Sequence, residues 1–305
     1  MIKRTITIEN PCHLKYSNEQ LVVSYSHIKG YETMPDKTVP IEDIGMLVLE
    51  HQQITLTHYL LDKLAANNTA VITCGATKHP TGMLLTLEGN TLQQERFDAQ
   101  INATEPLKKQ LWQQTVKAKI TNQAMHLKQW GIANTYLLNT ASTVKSGDGE
   151  NAEAKAAVYY WSNLFPPVWN FYRRRDGLPP NNLLNYGYAI LRATVARSLV
   201  GSGLLPTFGI FHRNRYNAYC LADDIMEPYR PYVDAIVRNI IYNTSAVENL
   251  TQEFKLKLLQ LPATDVVIDG SKSPLMLATQ RTAASLAKCF LGESKKILYP
   301  EFSGD

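Results

Sequence analysis

The sequence predicts an α+β protein in which a small N-terminal β-sandwich-like domain, residues 1–90, precedes a larger all-α domain, residues 91–305. Two observations predict this class. Short β-branched and aliphatic runs separated by Asn, Gly and Pro fill the first 90 residues, whereas helical spacing of apolar residues dominates after Pro106. The chain has 305 residues, of which 45% are hydrophobic and 19% charged. That composition predicts a folded protein with a sizeable core and excludes disorder.

The N-terminal part contains several short strands and one helix. Apolar spacing predicts a helix over residues 55–66, and residues 75–90, with Pro80, Gly82 and Gly89, are interpreted as an extended connection to the second domain. Because short strands bury both faces only when layers pack together, we expect a sandwich or barrel. The predicted strands cover residues 5–8, 20–25, 37–41, 45–49 and 70–74.

The second part is predicted to be helical throughout. Gly and Pro clusters divide it into long amphipathic stretches, and no internal repeat stands out. The predicted helical stretches cover residues 107–138, 152–165, 183–200, 221–242, 251–261 and 274–291.

Charge and composition narrow the class of function. Residues 1–95 hold 7 basic and 10 acidic residues, and the rest of the chain holds 24 and 17, so the basic character belongs to the second part. A polyanionic partner such as DNA is one interpretation, and a mildly basic solvated surface is the other. No apolar run approaches the ~18–20 residues of a membrane span and no signal-like segment is present, so we expect a cytoplasmic protein. The four scattered cysteines predict reduced thiols.

Glu153 and His212 are the first candidates for chemistry. Steps of helical length from Glu153 reach an apolar face of the predicted helix, so its carboxylate points inward and needs a compensating cation or hydrogen bonds. The alternative is a first-turn glutamate that favours the helix dipole and stays near solvent. His212 follows an apolar run and precedes a turn rich in Arg and Asn, which suits a metal ligand, a proton shuttle or an ordinary hydrogen-bonded histidine.

A second acidic group follows in the predicted helix over residues 221–242. Asp224, Glu227 and Arg230 are three residues apart and share one face. Such a line can be a solvated ion-pair ladder, but the surrounding apolar residues indicate a helix that is largely buried. Glu227 with Asp224 is therefore a plausible half of a hard-cation site that Glu153 and His212 could complete, with Mg²⁺ or Mn²⁺ as the ion.

Three consecutive arginines, Arg173, Arg174 and Arg175, stand beside aromatic residues. They could clamp phosphates or stack on bases, or they could form a solvated loop. Consecutive residues point in different directions, so we expect one or two to reach a ligand and the rest to make internal ion pairs.

Four segments, taken together in their order along the chain, form a recognisable set. They are Asn151-Ala152-Glu153, Leu178-Pro179-Pro180-Asn181-Asn182-Leu183-Leu184-Asn185-Tyr186-Gly187-Tyr188, Gly209-Ile210-Phe211-His212 and Leu221-Ala222-Asp223-Asp224-Ile225-Met226-Glu227-Pro228-Tyr229-Arg230-Pro231. The set resembles the CRISPR-associated adaptation integrase, the larger of the two universal spacer-acquisition proteins. The resemblance covers the whole chain, and the compact length is similar to members of type II systems.

This resemblance implies a metal-dependent DNA endonuclease and integrase that joins 3′-hydroxyl ends of captured DNA to the CRISPR repeat by transesterification. Metal ligands and catalytic residues would be Glu153, His212 and Glu227, with Asp224 as an additional nearby acid. The resemblance also implies that Arg230 lies near the scissile phosphate. Asn185 and Tyr186 would line the same site.

The implied partners are DNA, a second copy of the chain bound mainly through the β domain, and the small second adaptation protein, whose dimer would lie between two such dimers. Whether an effector nuclease or an accessory ring protein takes part stays open. Two other functions are kept as alternatives: a metal-dependent nuclease acting on branched or single-stranded DNA in repair, and a non-catalytic DNA-binding scaffold.

Overall fold

The structure is a computed structural model that describes residues 3–26, 28–31, 33–165, 171–174, 176–244 and 247–303. The chain separates into two compact units, Met1–Thr91 and Leu92–Asp305. Sheets dominate the first unit and helices the second, so the predicted fold class is confirmed.

Two four-stranded sheets and one helix build the first unit. One sheet has the order β1-β5-β7-β8, in which only the β7–β8 pair is antiparallel, and the other has the order β4-β3-β2-β6, in which only the β2–β6 pair is parallel. The elements are β1 (Arg4–Ile8), β2 (His13–Ser17), β3 (Gln20–Ser24), β4 (Lys37–Pro40), β5 (Ile44–Leu49), β6 (Thr55–Leu56), α1 (His58–Ala66), β7 (Ala70–Cys74) and β8 (Pro80–Leu84).

Side chains from both sheets and from α1 form one core in the first unit. Leu14 and Leu21 come from one sheet, Leu47 from the other and Leu60 from α1, and all four are fully buried. All six residues of β5 are buried, as expected of a central strand paired on both edges. The layered packing agrees with the sandwich-like arrangement predicted for this part of the chain.

Three strands of the first unit were not predicted. Two of them, β2 and β6, are short and mostly polar; in β2 only Leu14 is buried. The third, β8, lies inside the stretch interpreted as a connection and pairs with β7. It is an edge strand with largely exposed side chains and begins at Pro80, so it lacks an apolar alternation that sequence could reveal.

Among the described residues, the second unit consists of helices, most of which pack against one or both of two long helices, and one small sheet. Strands β9, β10 and β11 form that sheet in the order β10-β9-β11, which the expectation of an all-helical unit did not include. The elements are α2 (Gln93–Ile101), α3 (Glu105–Gln129), α4 (Thr135–Thr143), α5 (Ala152–Leu164), α6 (Asn181–Gly201), α7 (Cys220–Met226), α8 (Arg230–Tyr242), α9 (Gln252–Leu259), β9 (Asp265–Ile268), β10 (Ser271–Pro274), α10 (Leu275–Phe290) and β11 (Pro300–Glu301).

Two predicted helices are each divided. The stretch 107–138 becomes α3 and α4 because Gly131 adopts a positive φ of 68° that stops the helix. The stretch 221–242 becomes α7, a 3₁₀ turn over Glu227–Tyr229, and α8. Pro228 and Pro231, which have no N–H to donate, fall at the start of the turn and of α8, where the missing donor costs little.

A single amide fastens three distant segments of the second unit. Asn122 in α3 donates from Nδ2 to the carbonyls of Pro228 at 2.8 Å and Pro300 at 2.9 Å, and its Oδ1 accepts from the N–H of Phe302 at 3.0 Å. The turn that carries Glu227 is therefore tied both to α3 and to β11.

All four cysteines are thiols rather than members of a disulfide, as predicted. Across the part of the chain that the structure describes, no helix combines the length and apolar character needed to cross a bilayer.

Candidate active site

Glu153 stands in the first turn of α5, which a nearby aspartate caps. Asp148 accepts hydrogen bonds from the N–H of Ala152 at 2.8 Å and of Glu153 at 3.0 Å, so its carboxylate satisfies two amides that the helix leaves free. The predicted apolar face is present, with Ala156 and Tyr160 fully buried. Glu153 thus combines both interpretations: it is a first-turn residue, and its half-buried side chain turns towards a buried cation.

That cation is Lys119 of α3, which sequence analysis did not single out. Its Nζ lies 2.6 Å from Oε1 of Glu153 and 2.6 Å from Oε2 of Glu227. The other oxygen of Glu227 accepts from Nε of Arg230 at 2.8 Å. The two glutamates come from α5 and from the 3₁₀ turn after α7, so the structure brings them together across one ammonium group.

The charged groups of this cluster stabilise one another in their ionised forms. Burial raises the pKa of Glu227, but Arg230 and Lys119 lower it further, and the result is a pKa of about 2. Burial likewise lowers the pKa of Lys119, and the carboxylates of Glu227 and Glu153 more than offset it, so that pKa lies above its ordinary value. Glu227 is therefore a carboxylate and Lys119 an ammonium at neutral pH.

His212 is held by Asp224 of α7. Its Nδ1 lies 2.5 Å from Oδ1 of Asp224, and this fully buried carboxylate also accepts from the N–H groups of Phe211 and His212. The hydrogen bond that His212 makes to Asp224 raises the pKa of His212, and burial raises the pKa of Asp224. Gly209 makes this loop possible, because a Cβ there would lie 2.5 Å from the carbonyl oxygen of His212 and 2.8 Å from Asp224.

Aromatic packing fixes the same loop against α3. The ring of Phe211 stacks on Trp112 with centroids 4.3 Å apart and an interplanar angle of 2°, and His212 meets the edge of the same indole at 5.7 Å. The imidazole remains 46% exposed. With Nδ1 engaged by Asp224, the ring atom that remains for a ligand is Nε2.

Arg230 and Arg173 both lie over the ring of Tyr188, with their guanidinium carbons 4.4 and 5.2 Å from its centroid. Arg173 also donates to the side-chain oxygens of Asn181 and Asn185, each at 2.8 Å. The guanidinium of Arg173 is therefore held by amide oxygens rather than by acids. A cation stacked on an aromatic face is fixed in orientation as well as in position.

Below Tyr188, a chain of hydrogen bonds runs into the core. The hydroxyls of Tyr188 and Tyr160 donate to the two oxygens of Asp234, at 2.5 and 2.9 Å. Nδ1 of His126 lies 2.7 Å from the Tyr160 oxygen. Where Asp234 is ionised and accepts the one proton of Tyr160, Nδ1 of His126 carries hydrogen and donates to the Tyr160 oxygen. Burial raises the pKa of Asp234 to about 7 and lowers that of His126 to about 3.

The remaining predicted residues have different surroundings. Arg174 donates its backbone N–H to Asn181 Oδ1 at 3.0 Å, and Arg175 lies outside the described residues. Tyr186 is fully buried, and Nζ of Lys255 from α9 lies 6.0 Å from its ring centroid.

Helical spacing could have found Lys119. It follows Trp112 by seven residues and Val116 by three, both fully buried, so it lies on the buried face of α3. A lysine on such a face needs a partner, which is the reasoning that singled out Glu153. Tyr188 and Asp234 carry no comparable signal, because buried tyrosines and helical acids are common.

The donor set fits a hard divalent cation. No three His, Cys, Asp or Glu side chains among the described residues lie close enough to enclose one ion. Glu153 and Glu227 nevertheless face the same cation, and Oε2 of Glu227 is buried without a hydrogen bond of ordinary geometry. A histidine whose second ring nitrogen binds a carboxylate, as in His212–Asp224, is the usual arrangement of a metal-ligating histidine. Two carboxylates and an imidazole suit Mn²⁺, and the carboxylates suit Mg²⁺.

Comparisons with known proteins identify relatives along most of the chain. The family described as "CRISPR associated protein Cas1" matches residues 6–255. A protein of Neisseria meningitidis serogroup C (strain 8013), named CRISPR-associated endonuclease Cas1, is 34% identical over 287 residues, which cover 93% of this chain and 91% of that protein.

Solved structures have the same fold. A casposase bound to its integration product superposes with a TM-score of 0.78 at 19% identity, over 97% of this chain and 92% of that one. A chain of a Cas6-RT-Cas1–Cas2 complex superposes with a TM-score of 0.70 at 19% identity, over 99% of this chain and 36% of that longer one.

Proposed function

This chain belongs to the Cas1 family of CRISPR-associated proteins, and we propose that it is the DNA endonuclease and integrase of CRISPR adaptation in a type II-like system. The observation that carries the proposal is the meeting of Glu153 and Glu227 at one buried cation, with His212 held on an adjacent loop by Asp224. The names of its relatives support an endonuclease, and its likeness in fold to a casposase bound to an integration product supports strand joining.

The reaction exchanges one phosphodiester for another. The 3′-oxygen of a captured fragment forms a bond to the phosphorus at the repeat end, and the bond from that phosphorus to the 3′-oxygen of the neighbouring nucleotide breaks. The proton lost by the attacking hydroxyl is balanced by one gained at the leaving oxygen. Water in place of the sugar hydroxyl gives cutting. No nucleotide cofactor and no protein nucleophile are required.

Each residue of the cluster has a task in this proposal. Glu153, Glu227 and His212 would hold Mg²⁺ or Mn²⁺, and the positive charge of the ion would stabilise the negative charge on the reacting phosphate. Asp224 keeps Nδ1 of His212 engaged, so that Nε2 carries the lone pair that a ligand needs. Arg230 binds Glu227 through Nε and stacks on Tyr188, and in this proposal its guanidinium would contact a phosphate oxygen.

Strand transfer tests the proposal. A labelled duplex with free 3′-hydroxyls, a supercoiled repeat plasmid and Mg²⁺ or Mn²⁺ should give products joined at repeat borders, and blocking the 3′-hydroxyl should abolish them. Glu153→Gln should remove joining and cutting while leaving DNA binding largely intact. The matched control is Glu150→Gln, which should behave as wild type. Glu150 is an exposed glutamate three residues before Glu153, and it pairs with Lys145.

Three results would contradict parts of the proposal. Joined products from Glu153→Gln would refute its role in metal binding. Metal-dependent cutting without joining, even with the small partner present, would favour the alternative of a nuclease acting on branched or single-stranded DNA. DNA binding without cutting or joining would favour the non-catalytic scaffold, which the charged cluster at Glu153 and Glu227 disfavours because buried charges are costly to keep.

We also propose the assembly in which the enzyme acts. DNA and Cas2 are the partners that the DNA-bound casposase and the Cas1–Cas2 complexes support. The β unit would form a homodimer, two such dimers would flank a Cas2 dimer in the cytoplasm of a prokaryote, and an effector nuclease or accessory ring protein could join them. Light scattering of the chain with and without Cas2 measures this stoichiometry, and a monomer at working concentration would refute it.

A further inference from the structure

The candidate metal centre already contains a cation of its own. Nζ of Lys119 lies 2.6 Å from an oxygen of Glu153 and 2.6 Å from an oxygen of Glu227, and the lysine is only 8% exposed. It reaches this position from the buried face of α3, next to Thr115 and Gln123, which are also buried. The contact is therefore part of the core of the second unit and not a surface ion pair.

The four charged groups of this cluster, Lys119, Glu153, Glu227 and Arg230, depend on one another. A buried ammonium group without partners would be very unfavourable, and so would a buried carboxylate such as Glu227. Arg230 binds the other oxygen of Glu227, so two carboxylates face two cations and the cluster is neutral. Removing any one member leaves an uncompensated charge in a largely dry environment.

A divalent ion bound by the same two carboxylates would disturb this balance. It would lie about 2 Å from oxygens that Lys119 contacts at 2.6 Å, and two cations sharing those oxygens repel each other strongly in a buried site. The ion would also leave the cluster with two surplus positive charges. Departure of the ammonium group relieves the repulsion and removes one of the surplus charges.

We propose that Lys119 is an internal counter-ion that a divalent metal displaces, so that metal binding at this centre is an exchange of an ammonium group for a metal ion. The proposal rests on the proposed function, because it assumes that Glu153 and Glu227 hold the metal. Lys119 is then a positioning residue: it holds the two carboxylates together before metal binds, and it sets the metal affinity through competition.

Lys119→Gln tests the exchange with Mn²⁺ alone as the probe. Without the competing ammonium group, calorimetric affinity for Mn²⁺ should rise at least about tenfold, in keeping with the loss of two charge-assisted contacts. The melting temperature in EDTA should fall and the increase caused by Mn²⁺ should grow, because the carboxylates lose their partner in the metal-free protein only. Lys119→Arg keeps a competing cation and should bind Mn²⁺ much as wild type does.

The matched control is Lys257→Gln in α9. Lys257 pairs with Glu253 at 2.7 Å on the surface, so its loss removes a lysine–glutamate contact away from the centre. Neither the Mn²⁺ affinity nor the melting temperatures should change.

A measurement on wild type keeps the proposal testable if Lys119→Gln does not fold. Reductive methylation followed by mass spectrometry should show Lys119 modified faster with Mn²⁺ than with EDTA, because the displaced ammonium group leaves its two carboxylates. Equal rates would overturn the exchange, as would unchanged or weaker Mn²⁺ binding by a folded Lys119→Gln.

Failure of the proposed function gives a different result. If wild type binds Mn²⁺ no better than Glu153→Gln does, the metal centre itself is wrong. If Glu153→Gln loses Mn²⁺ binding but Lys119→Gln matches wild type, only the exchange is wrong.

Discussion

Replacing Asp234 by Asn should uncover a pH dependence of stability that His126 cancels in the wild-type protein. Burial raises the pKa of Asp234 from 3.8 to about 7 and lowers that of His126 from 6.5 to about 3. Tyr160 links the two side chains. Both residues lie in the hydrogen-bond chain below Tyr188, and Arg230 stacks on the ring of Tyr188. Their titration therefore reports on the side chains that hold Arg230 in place.

The sign follows from the protons that each state binds. Between about pH 4 and 6.5, folded Asp234 keeps a proton that it loses on unfolding, and its contribution to stability is lost as pH rises. Folded His126 lacks a proton that it gains on unfolding, and its contribution is lost as pH falls. The two slopes have opposite signs and cancel.

In Asp234→Asn, only the dependence of stability on pH that comes from His126 remains. The free energy of unfolding should then increase with pH by about 1.4 kcal/mol per unit relative to wild type, which is roughly 2 kcal/mol between about pH 4.5 and 6. His126→Asn, which keeps an N–H for Tyr160, should give the opposite slope, and the double variant should run parallel to wild type. Asparagine fits between the two tyrosine hydroxyls because they can donate or accept.

Urea unfolding followed by circular dichroism at several pH values measures these differences. The other titratable groups are the same in wild type and in each variant, so their contributions cancel in the comparison. Asp269→Asn, which removes an exposed carboxylate paired with Arg281, controls for the loss of a charge. Curves for Asp234→Asn that run parallel to wild type would refute the reasoning.

The remaining predictions concern the loop of His212 and the core of the β unit. Asp224→Asn places an amide against N–H donors and loses charge-assisted bonds worth about 1.5–3 kcal/mol, so strand transfer should fall roughly 10- to 100-fold; wild-type rates would contradict this. Gly209→Ala should also reduce strand transfer, because its Cβ would press on the carbonyl of His212, whereas Gly149→Ala meets no atom within 4 Å and should not. Leu47→Ala should lower the free energy of unfolding by about 2–5 kcal/mol in urea denaturation, and a loss below 1 kcal/mol would show that the core there is not packed as described.

Sequence patterns predicted the fold class and the elements with strong periodicity. The helix of Glu153 runs over 152–165 in the prediction and over Ala152–Leu164 in the structure, because its buried face repeats at helical spacing. The edge strand at Pro80–Leu84 and the sheet of Asp265–Ile268 were missed, since exposed or very short strands stand on long-range pairing rather than on local pattern.

The residues of the candidate site were also predicted only in part. Resemblance named Glu153, His212 and Glu227, and helical spacing explains why Glu153 turns inward. Sequence patterns did not identify Lys119 as the electrostatic partner of these glutamates. Lys119 lies 34 residues before Glu153 in the chain, and no local pattern tells which of several buried polar side chains will meet across a core.

The hydrogen bonds of the Asn122 side chain can form only late in the synthesis of the chain. Its amide ties the carbonyl next to Glu227 to the segment at Pro300 and Phe302, which the ribosome produces 180 residues after Asn122 itself. A nascent chain that has passed Glu227 contains every proposed ligand but still lacks this anchor. This anchor therefore cannot form until translation has passed residue 302, and products of premature termination before that point carry the proposed ligands without the anchor.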